Sequence, residues 1–192
     1  MELRHLRQSD LGRLAGIDRS DYSDTWCVVR GGVVCQEKRE FRHVGFSQEH
    51  WRKMAEEWGE SLRRGDILLV GAFDGGDPVG VAGLETDRRY GWNRNMYNFG
   101  PIWVSREYRG RGIGKRLFLM VLKEAEELDV DALYVSATPV PGTVGFYMSM
   151  GCRLLKSPDP ELYRQEPEDI HMYLSLSAEG SGEPGSCGEM GQ

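Results

Sequence analysis

A short glycine-rich turn between a strand pattern and a helix pattern constrains this sequence most. The turn runs from Arg109 to Gly114, follows the β-prone stretch 96–104, and precedes an amphipathic pattern that begins at Leu117. A strand, a glycine turn and a helix in this order direct free backbone N–H groups and the positive helix end at a phosphate. Glycine lets the backbone approach closely because it has no Cβ. The segment therefore predicts a phosphate-binding site at the start of a helix.

The charge distribution supports an anionic ligand at this turn. The chain carries 24 Lys and Arg against 30 Asp and Glu, a net charge of -6. An acidic surface argues against nucleic acid or an anionic membrane as the main partner, since both require a basic footprint. A basic cluster in an acidic chain favours a local anionic ligand. The cluster consists of Arg106, Arg109, Arg111, Lys115 and Arg116.

Two common phosphate motifs do not fit the turn. A Walker A loop requires Gly where Arg109 stands, and Ser or Thr where Arg116 stands. A dinucleotide fingerprint requires a third Gly at the position of Lys115. A basic helix cap without a ligand remains the alternative reading of the cluster.

The rest of the chain predicts one domain over residues 1–176. Residues 177–192 are rich in Ser, Gly and Glu, which predicts a disordered tail. Residues 87–95 read as a loop, and Gly100-Pro101 predicts a bulge in its strand. Predicted strands are 2–7, 26–30, 33–38, 67–73, 79–86, 96–104, 132–137, 152–155 and 169–176. Predicted helices run through 11–17 with a cap at Ser9-Asp10, through 51–62 between caps at Ser47 and Gly65, through 117–128, and through 143–150.

The cysteines and the N-terminus bear on the compartment. No C-x-x-C pair or His cluster accompanies the four cysteines, so neither a metal site nor a redox motif is predicted. The first ten residues are charged and lack an apolar core, and no apolar run approaches a membrane span. We expect a cytoplasmic protein with reduced thiols at Cys27, Cys35, Cys152 and Cys187.

Two motifs together give a family resemblance. Arg109, Gly112 and Gly114 spell R-x-x-G-x-G, which resembles the pyrophosphate-binding motif of the GNAT superfamily. The stretch V-G-F-Y-M-S-M-G-C at 144–152 resembles the second signature of that family. The resemblance implies an α+β fold, the GNAT acyl-CoA N-acyltransferase fold. This fold has a mixed, mostly antiparallel central sheet of about six or seven strands flanked by helices.

The resemblance also implies a co-substrate, acetyl-CoA, and no metal. The backbone of Ile102, Trp103 and Val104 would hold the thioester where two strands separate. One position departs from the family: Val140 stands where many members carry an Asn that bonds the cofactor. The pyrophosphate would lie against Arg109, Gly110, Arg111, Gly112, Ile113, Gly114 and Lys115.

Two catalytic candidates follow. The resemblance assigns Tyr147 the role of general acid toward the CoA sulfur, and core packing is the alternative. Glu85, near the end of its strand, is the best candidate for the general base, with Asp87 next; a solvated strand end is the alternative. We expect the acceptor pocket to include the helix before Gly65 and the loop with Tyr90 and Trp92.

The predicted reaction moves an acetyl group from acetyl-CoA to a primary amine by direct attack in a ternary complex. The acidic balance suits a cationic small molecule, and the layout over Val79 to Gly114 is loosely similar to streptothricin acetyltransferases. Two alternatives stay open: acetylation of protein Lys or N-termini, and a non-catalytic CoA-binding regulatory module. A homodimer is also left open.

Overall fold

The computed structural model describes residues 1–91 and 95–176. The strands are β1 (Glu2–His5), β2 (Asp21–Arg30), β3 (Val33–His43), β4 (Ile67–Asp74), β5 (Asp77–Tyr90), β6 (Met96–Val104), β7 (Ala132–Ala137), β8 (Arg153–Leu154) and β9 (Ile170–Ser175). The helices are α1 (Gln48–Arg64), α2 (Ile113–Ala125), α3 (Pro141–Ser149) and α4 (Pro160–Gln165), with 3-10 turns at Gln8–Gly16 and Arg106–Tyr108.

Seven strands form one sheet in the order β1-β4-β5-β6-β7-β9-β8. Every neighbouring pair is antiparallel except β6 and β7, which run parallel. The predicted fold class, a mostly antiparallel sheet flanked by helices, is confirmed.

The parallel pair β6–β7 separates part-way along its length. Pairing ends at Asn98 opposite Tyr134, so β6 continues to Val104 without β7 beside it. On its other side, β6 follows β5 through a bulge, since Ala82 faces Ile102 while Leu84 faces Phe99. Gly100 and Pro101 thus lie opposite the single residue Gly83, so the predicted bulge at Gly100-Pro101 is confirmed. An opening therefore lies between β6 and β7 beside the bulge.

Different helices cover the two faces of the sheet. Helices α2 and α3 pack on the face that we call the α2 face, through a core that includes Leu84, Phe99 and Phe118. The 3-10 turn Gln8–Gly16 and α1 pack on the other, the α1 face, through a core that includes Val81 and Trp51. Side chains alternate along a strand, so neighbouring residues of β5 and β6 serve opposite layers.

The capping signals around α1 are confirmed. The Ser47 side chain accepts a hydrogen bond from the His50 N–H at 3.2 Å, which satisfies one free donor of the first turn. Gly65 ends the helix in the left-handed conformation, with φ 77°.

Strands β2 and β3 form a separate hairpin. Gly31 and Gly32 both have positive φ, 59° and 77°, which the tight turn between right-handed twisted strands requires. The hairpin extends further from its turn than the predicted runs 26–30 and 33–38, since β2 begins at Asp21 and β3 ends at His43. The Cys27 N–H donates to the Pro139 carbonyl at 2.7 Å, so the hairpin lies against the segment that leads into α3.

Three local predictions are wrong. The helix predicted after Ser9-Asp10 is a 3-10 turn capped at Arg7, because the Asp10 side chain accepts from the Arg7 N–H and pairs with Arg4. The predicted loop 87–95 is in part the end of β5, since Tyr90 pairs with Met96. Helix α4 was not predicted, although its Asp-Pro start is a normal cap and first-turn pair. The predicted tail lies outside the described residues.

Candidate active site

The glycine turn leads directly into α2, as predicted. Gly112 precedes the helix with φ 75°, and Gly110 has φ 72°. A Cβ on either glycine would meet nothing within 4 Å, so both face open space at the helix start. The first N–H groups of α2 have no carbonyl partner within the helix. The turn can therefore receive an anion on backbone donors at a positive helix end.

Arg109 ties the turn to the neighbouring elements. Its Nε donates to the Val104 carbonyl at 3.0 Å, and its Nη1 lies 3.2 Å from the Asp21 carboxylate. The side chain thus joins the end of β6 to the start of the hairpin. Arg111 and Lys115 are exposed at the same end of α2.

The backbone of Ile102 to Val104 lies along the opening between β6 and β7. These residues pair with β5 on one side only, at Gly80, Val81 and Ala82. In an antiparallel strand, alternate residues point their N–H and C=O groups away from the partner. The outward N–H and C=O groups of β6 therefore face the opening. An extended ligand could form hydrogen bonds with them, as a neighbouring strand would.

Tyr147 lies in the core of the α2 face and is 3% exposed. Its ring packs edge-on against Phe99 and Phe118, at centroid distances of 6.1 and 6.3 Å. Burial raises the pKa of Tyr147, and the neighbouring Cys152 and Asp169 raise it further. The phenol therefore stays protonated at neutral pH and can act as a proton donor.

Glu85 is placed on the α1 face by its register with Asn98. The Asn98 Nδ2 donates to Glu85 Oε2 at 2.9 Å, and a Cβ on Gly100 would stand 3.6 Å from Glu85 Oε1. Burial raises the pKa of Glu85, while the Asn98 hydrogen bond lowers it. The Asn98 Oδ1 is buried without a partner among the described residues. A carboxylate and an unused acceptor thus meet beside the bulge.

Two further carboxyl groups lie near the opening. Burial raises the pKa of Asp169, and the adjacent Glu166 raises it again. The charge of Glu166 also raises the pKa values of Glu85 and Tyr147. Glu166 therefore influences the proton affinity of Glu85, Tyr147 and Asp169 alike. The His171 Nε2 lies 3.1 Å from the Glu166 carbonyl and fixes that segment. Sequence reasoning missed Asn98 and Asp169, whose proximity depends on strand register and on the path before β9.

Comparison with known families decides the identity. A model described as acetyltransferase (GNAT) family matches residues 33–152, more than half of the chain. The chain belongs to the acetyltransferase (GNAT) family. The membership confirms the predicted enzyme class, an N-acetyltransferase, which is an acyltransferase that moves groups other than aminoacyl groups.

Several solved structures share the GNAT fold over nearly the whole chain. Nourseothricin acetyltransferase is 20% identical, covers 92% of this chain and 98% of its own, and gives a TM-score of 0.67. The PaiA N-acetyltransferase from Thermoplasma acidophilum, in complex with coenzyme A, is 19% identical with a TM-score of 0.60, covering 91% and 98%. An aminoglycoside 6'-N-acetyltransferase complexed with coenzyme A is 13% identical with a TM-score of 0.57, covering 92% and 98%. Comparison with curated protein sequences finds no match.

Two expectations about this GNAT site change. Tyr90 is buried at 6% exposure and packs against Tyr134, so it does not face an acceptor. Its apolar ring fills the gap under α4, and Trp92 lies outside the described residues. Val140, at the family's Asn position, is 4% exposed and precedes α3 without a side-chain cap.

The other sequence expectations concern cysteines, metals and membranes. Cys27, Cys35 and Cys152 are free thiols, and Cys187 lies outside the described residues. Within 1–91 and 95–176, no group of three His, Cys, Asp or Glu side chains could hold a metal ion. No helix of the described part is long and apolar enough to cross a membrane.

Proposed function

We propose that this chain, as one domain over residues 1–176, transfers the acetyl group of acetyl-CoA to a primary amine of a small molecule. The observation that carries the proposal is the pair Glu85–Asn98 beside the bulge, on the opposite face of the sheet from Tyr147. A base and an acid thus flank the opening between β6 and β7 from two sides. The related structures include two antibiotic acetyltransferases, which favours a small-molecule acceptor over a protein.

The residues present fit acetyl-CoA. The open glycine backbone and the free N–H groups of α2 suit its pyrophosphate, with Arg111 and Lys115 adding positive charge. The unpaired edge of β6 at Ile102 to Val104 suits the amides of its pantetheine arm. When bound, acetyl-CoA supplies an activated thioester carbonyl.

Glu85 prepares the amine for attack. Only roughly one alkylammonium in a thousand is a free amine at neutral pH. The Glu85 carboxylate accepts the excess proton directly or through one water, and its raised pKa makes it a stronger base than an exposed carboxylate. The Asn98 Oδ1 can accept a second hydrogen bond from the same nitrogen.

Tyr147 completes the exchange. The C–N bond forms as the C–S bond breaks, the departing thiolate takes the phenol proton, and the proton lost by the new amide nitrogen returns to the phenolate through water. Burial keeps that proton on Tyr147 until the thiolate develops. Proximity of the amine and the thioester supplies the remaining rate enhancement.

The test is thiol release from acetyl-CoA across a panel of amines. The panel contains antibiotics, polyamines and amino acid derivatives, with lysine and N-terminal peptides as a separate arm. We expect sustained release with at least one small amine, and a loss of about 10²–10⁴-fold in kcat/KM for Glu85→Gln. Glu57→Gln, an exposed change on α1, is the control. Release with peptides alone supports the protein acetyltransferase, and no release with any amine supports the binding module.

A further inference from the structure

Arg19 is a partly buried cation that packs against two aromatic rings on the α1 face. Its guanidinium carbon lies 3.6 Å from the Trp103 ring centroid and 3.9 Å from that of Phe46. Trp58 stacks on the far side of Trp103 with a centroid distance of 5.6 Å. The Phe46 and Trp103 rings are nearly perpendicular, at 86°, so the guanidinium lies in the corner between them and part of its N–H edge stays open to a ligand.

Among the described residues, the Arg19 guanidinium has one buried N–H group without an acceptor and no ion-pair partner. Its Nη1 is buried with no hydrogen-bond partner, and no salt bridge among the described residues includes it. Burial lowers the pKa of Arg19 to about 10, and the charge of Arg109 lowers it further. Arg19 is nevertheless charged at neutral pH. Buried charges in proteins are normally paired, so a partner for Arg19 is missing.

The location of Arg19 relative to Glu85 is fixed by the sheet. Trp103 pairs with Val81, and Val81 belongs to the core of the α1 face. Glu85 lies four residues further along β5 on the same face, a distance of about 13 Å along the strand. One molecule on this face can therefore reach both side chains.

The sheet separates Trp103, on which Arg19 packs, from the start of α2, although the charge of Arg109 reaches Arg19. Val104, the residue after Trp103, points to the α2 face, where its side chain stands 3.8 Å from a Cβ on Gly114. The phosphate turn and Trp103 thus serve opposite faces of the sheet. The turn also has its own donors in the first N–H groups of α2.

We propose that Arg19 binds a carboxylate or phosphate group of the acceptor, so that the acceptor carries both an amine and an anionic group. The anionic group supplies an acceptor for Nη1 and a counter-charge for the guanidinium. The amine end then lies among Glu85, Glu166 and Asp169, and the anionic end lies at the Arg19 guanidinium, beside Phe46 and Trp103. This inference rests on the proposed function for the amine end only.

The first test compares matched acceptors. Each active amine that bears a carboxylate is assayed beside its methyl ester, with wild type, Arg19→Met and the exposed control Arg52→Met. Met keeps the packing between the rings and removes the charge. We expect Arg19→Met to lower kcat/KM for the acid by about 10–100-fold. The kcat/KM for the ester and the KM for acetyl-CoA should each change by less than about threefold, the scatter expected where no contact is lost. Equal losses for acid and ester, or a raised KM for acetyl-CoA, overturn the proposal.

A second test needs no turnover and stays informative if the proposed function fails. CoA is held at saturation to occupy the phosphate turn, and the thermal midpoint is measured in acetate, phosphate or chloride at equal ionic strength. Acetate or phosphate should raise Tm in wild type relative to chloride, and not in Arg19→Met or Arg19→Gln. The absence of an anion effect in wild type, or an equal effect in the variants, overturns the assignment of Arg19. Failure of every amine to release thiol instead overturns the proposed function.

Discussion

The phosphate turn and the acceptor face differ in how they are built. The turn, residues 109–115, is continuous in sequence, exposed, and formed mainly by backbone at the start of α2. The acceptor face, defined by Arg19, Phe46, Glu85, Asn98 and Trp103, joins four separate segments across β5 and β6. The turn exposes neutral backbone donors, whereas the acceptor face partly buries Arg19 and Asn98, each with one buried polar atom that has no hydrogen-bond partner among the described residues.

This difference indicates that the turn supplies affinity for the co-substrate and that the acceptor face supplies selectivity among acceptors. Free N–H groups at a helix start remain solvated until a phosphate replaces water, so the turn costs the fold little. A buried guanidinium or carboxylate costs stability until a ligand compensates it. The co-substrate site therefore suits a ligand common to the GNAT family, while the acceptor face suits one particular substrate.

The largest expected effect comes from filling the turn. Gly112→Glu places a carboxylate in the open space beside the first N–H groups of α2. The added anion repels the pyrophosphate, so acetyl-CoA binding should fall below detection by calorimetry. Gly31→Glu, also at a positive φ of 59° but in the hairpin turn, is the control for backbone strain. Unchanged affinity in Gly112→Glu contradicts the assignment of the turn.

Removing the proposed acid comes next. Tyr147→Phe keeps the ring packed against Phe99 and Phe118 and deletes only the proton donor. Turnover should fall by about 10²–10⁴-fold with CoA affinity nearly unchanged. Tyr173→Phe, a second buried tyrosine, serves as the control. Turnover within about twofold of wild type would return Tyr147 to a packing role.

The same contrast explains what the sequence could predict. The turn, the caps at Ser47 and Gly65, and the bulge at Gly100-Pro101 follow from local residue chemistry, and the structure confirms their placement. The partnership of Glu85 with Asn98 depends on strand register across a bulge, which no local pattern fixes. Arg19 was missed because its two rings come from 27 and 84 residues away along the chain, at positions 46 and 103.

The burial of Tyr90 shows that the local amino-acid composition does not determine whether a side chain is buried or exposed. A polar segment with two aromatics resembles a substrate-covering loop, yet Tyr90 pairs with Met96 and fills a satellite core with Tyr134. Tertiary packing overrides the polar context there.

A smaller effect on kcat/KM should follow from removing the hydrogen bond between Asn98 and Glu85 on the acceptor face. Asn98→Ala removes the hydrogen bond that lowers the pKa of Glu85, so that pKa should rise. Because a general base must be ionised, the rising limb of kcat/KM against pH should move to higher pH. Activity on the alkaline plateau should change far less than at acidic pH. Asn98→Asp would add a charge and is not a suitable control, so Tyr97→Phe, one residue away, is used. If the rising limb of the pH profile stays at the same pH in Asn98→Ala, Asn98 does not influence the pKa of the general base.

The smallest expected effect concerns the stability cost of the buried carboxyl groups. Burial and Glu166 raise the pKa of Asp169 in the native state above its unfolded value, so the native protein holds that proton more tightly. Its contribution to the free energy of unfolding is complete below about pH 3.9 and is lost as pH rises toward the raised native pKa. Asp169→Asn keeps the shape without the titration.

Wild type should therefore lose stability relative to Asp169→Asn between about pH 4 and pH 8, where Asp169 is ionised in the unfolded chain but still protonated in the native protein. One pKa unit corresponds to about 1.4 kcal/mol, which for a domain of this size is about 3–6 °C in Tm. Thermal melts of both proteins across that range, with the exposed Asp129→Asn as control, measure the difference. A constant gap between wild type and Asp169→Asn would mean that Asp169 is solvated. The acceptor face would then impose no pH-dependent cost at this position, and its contrast with the turn would rest on Arg19 and Glu85.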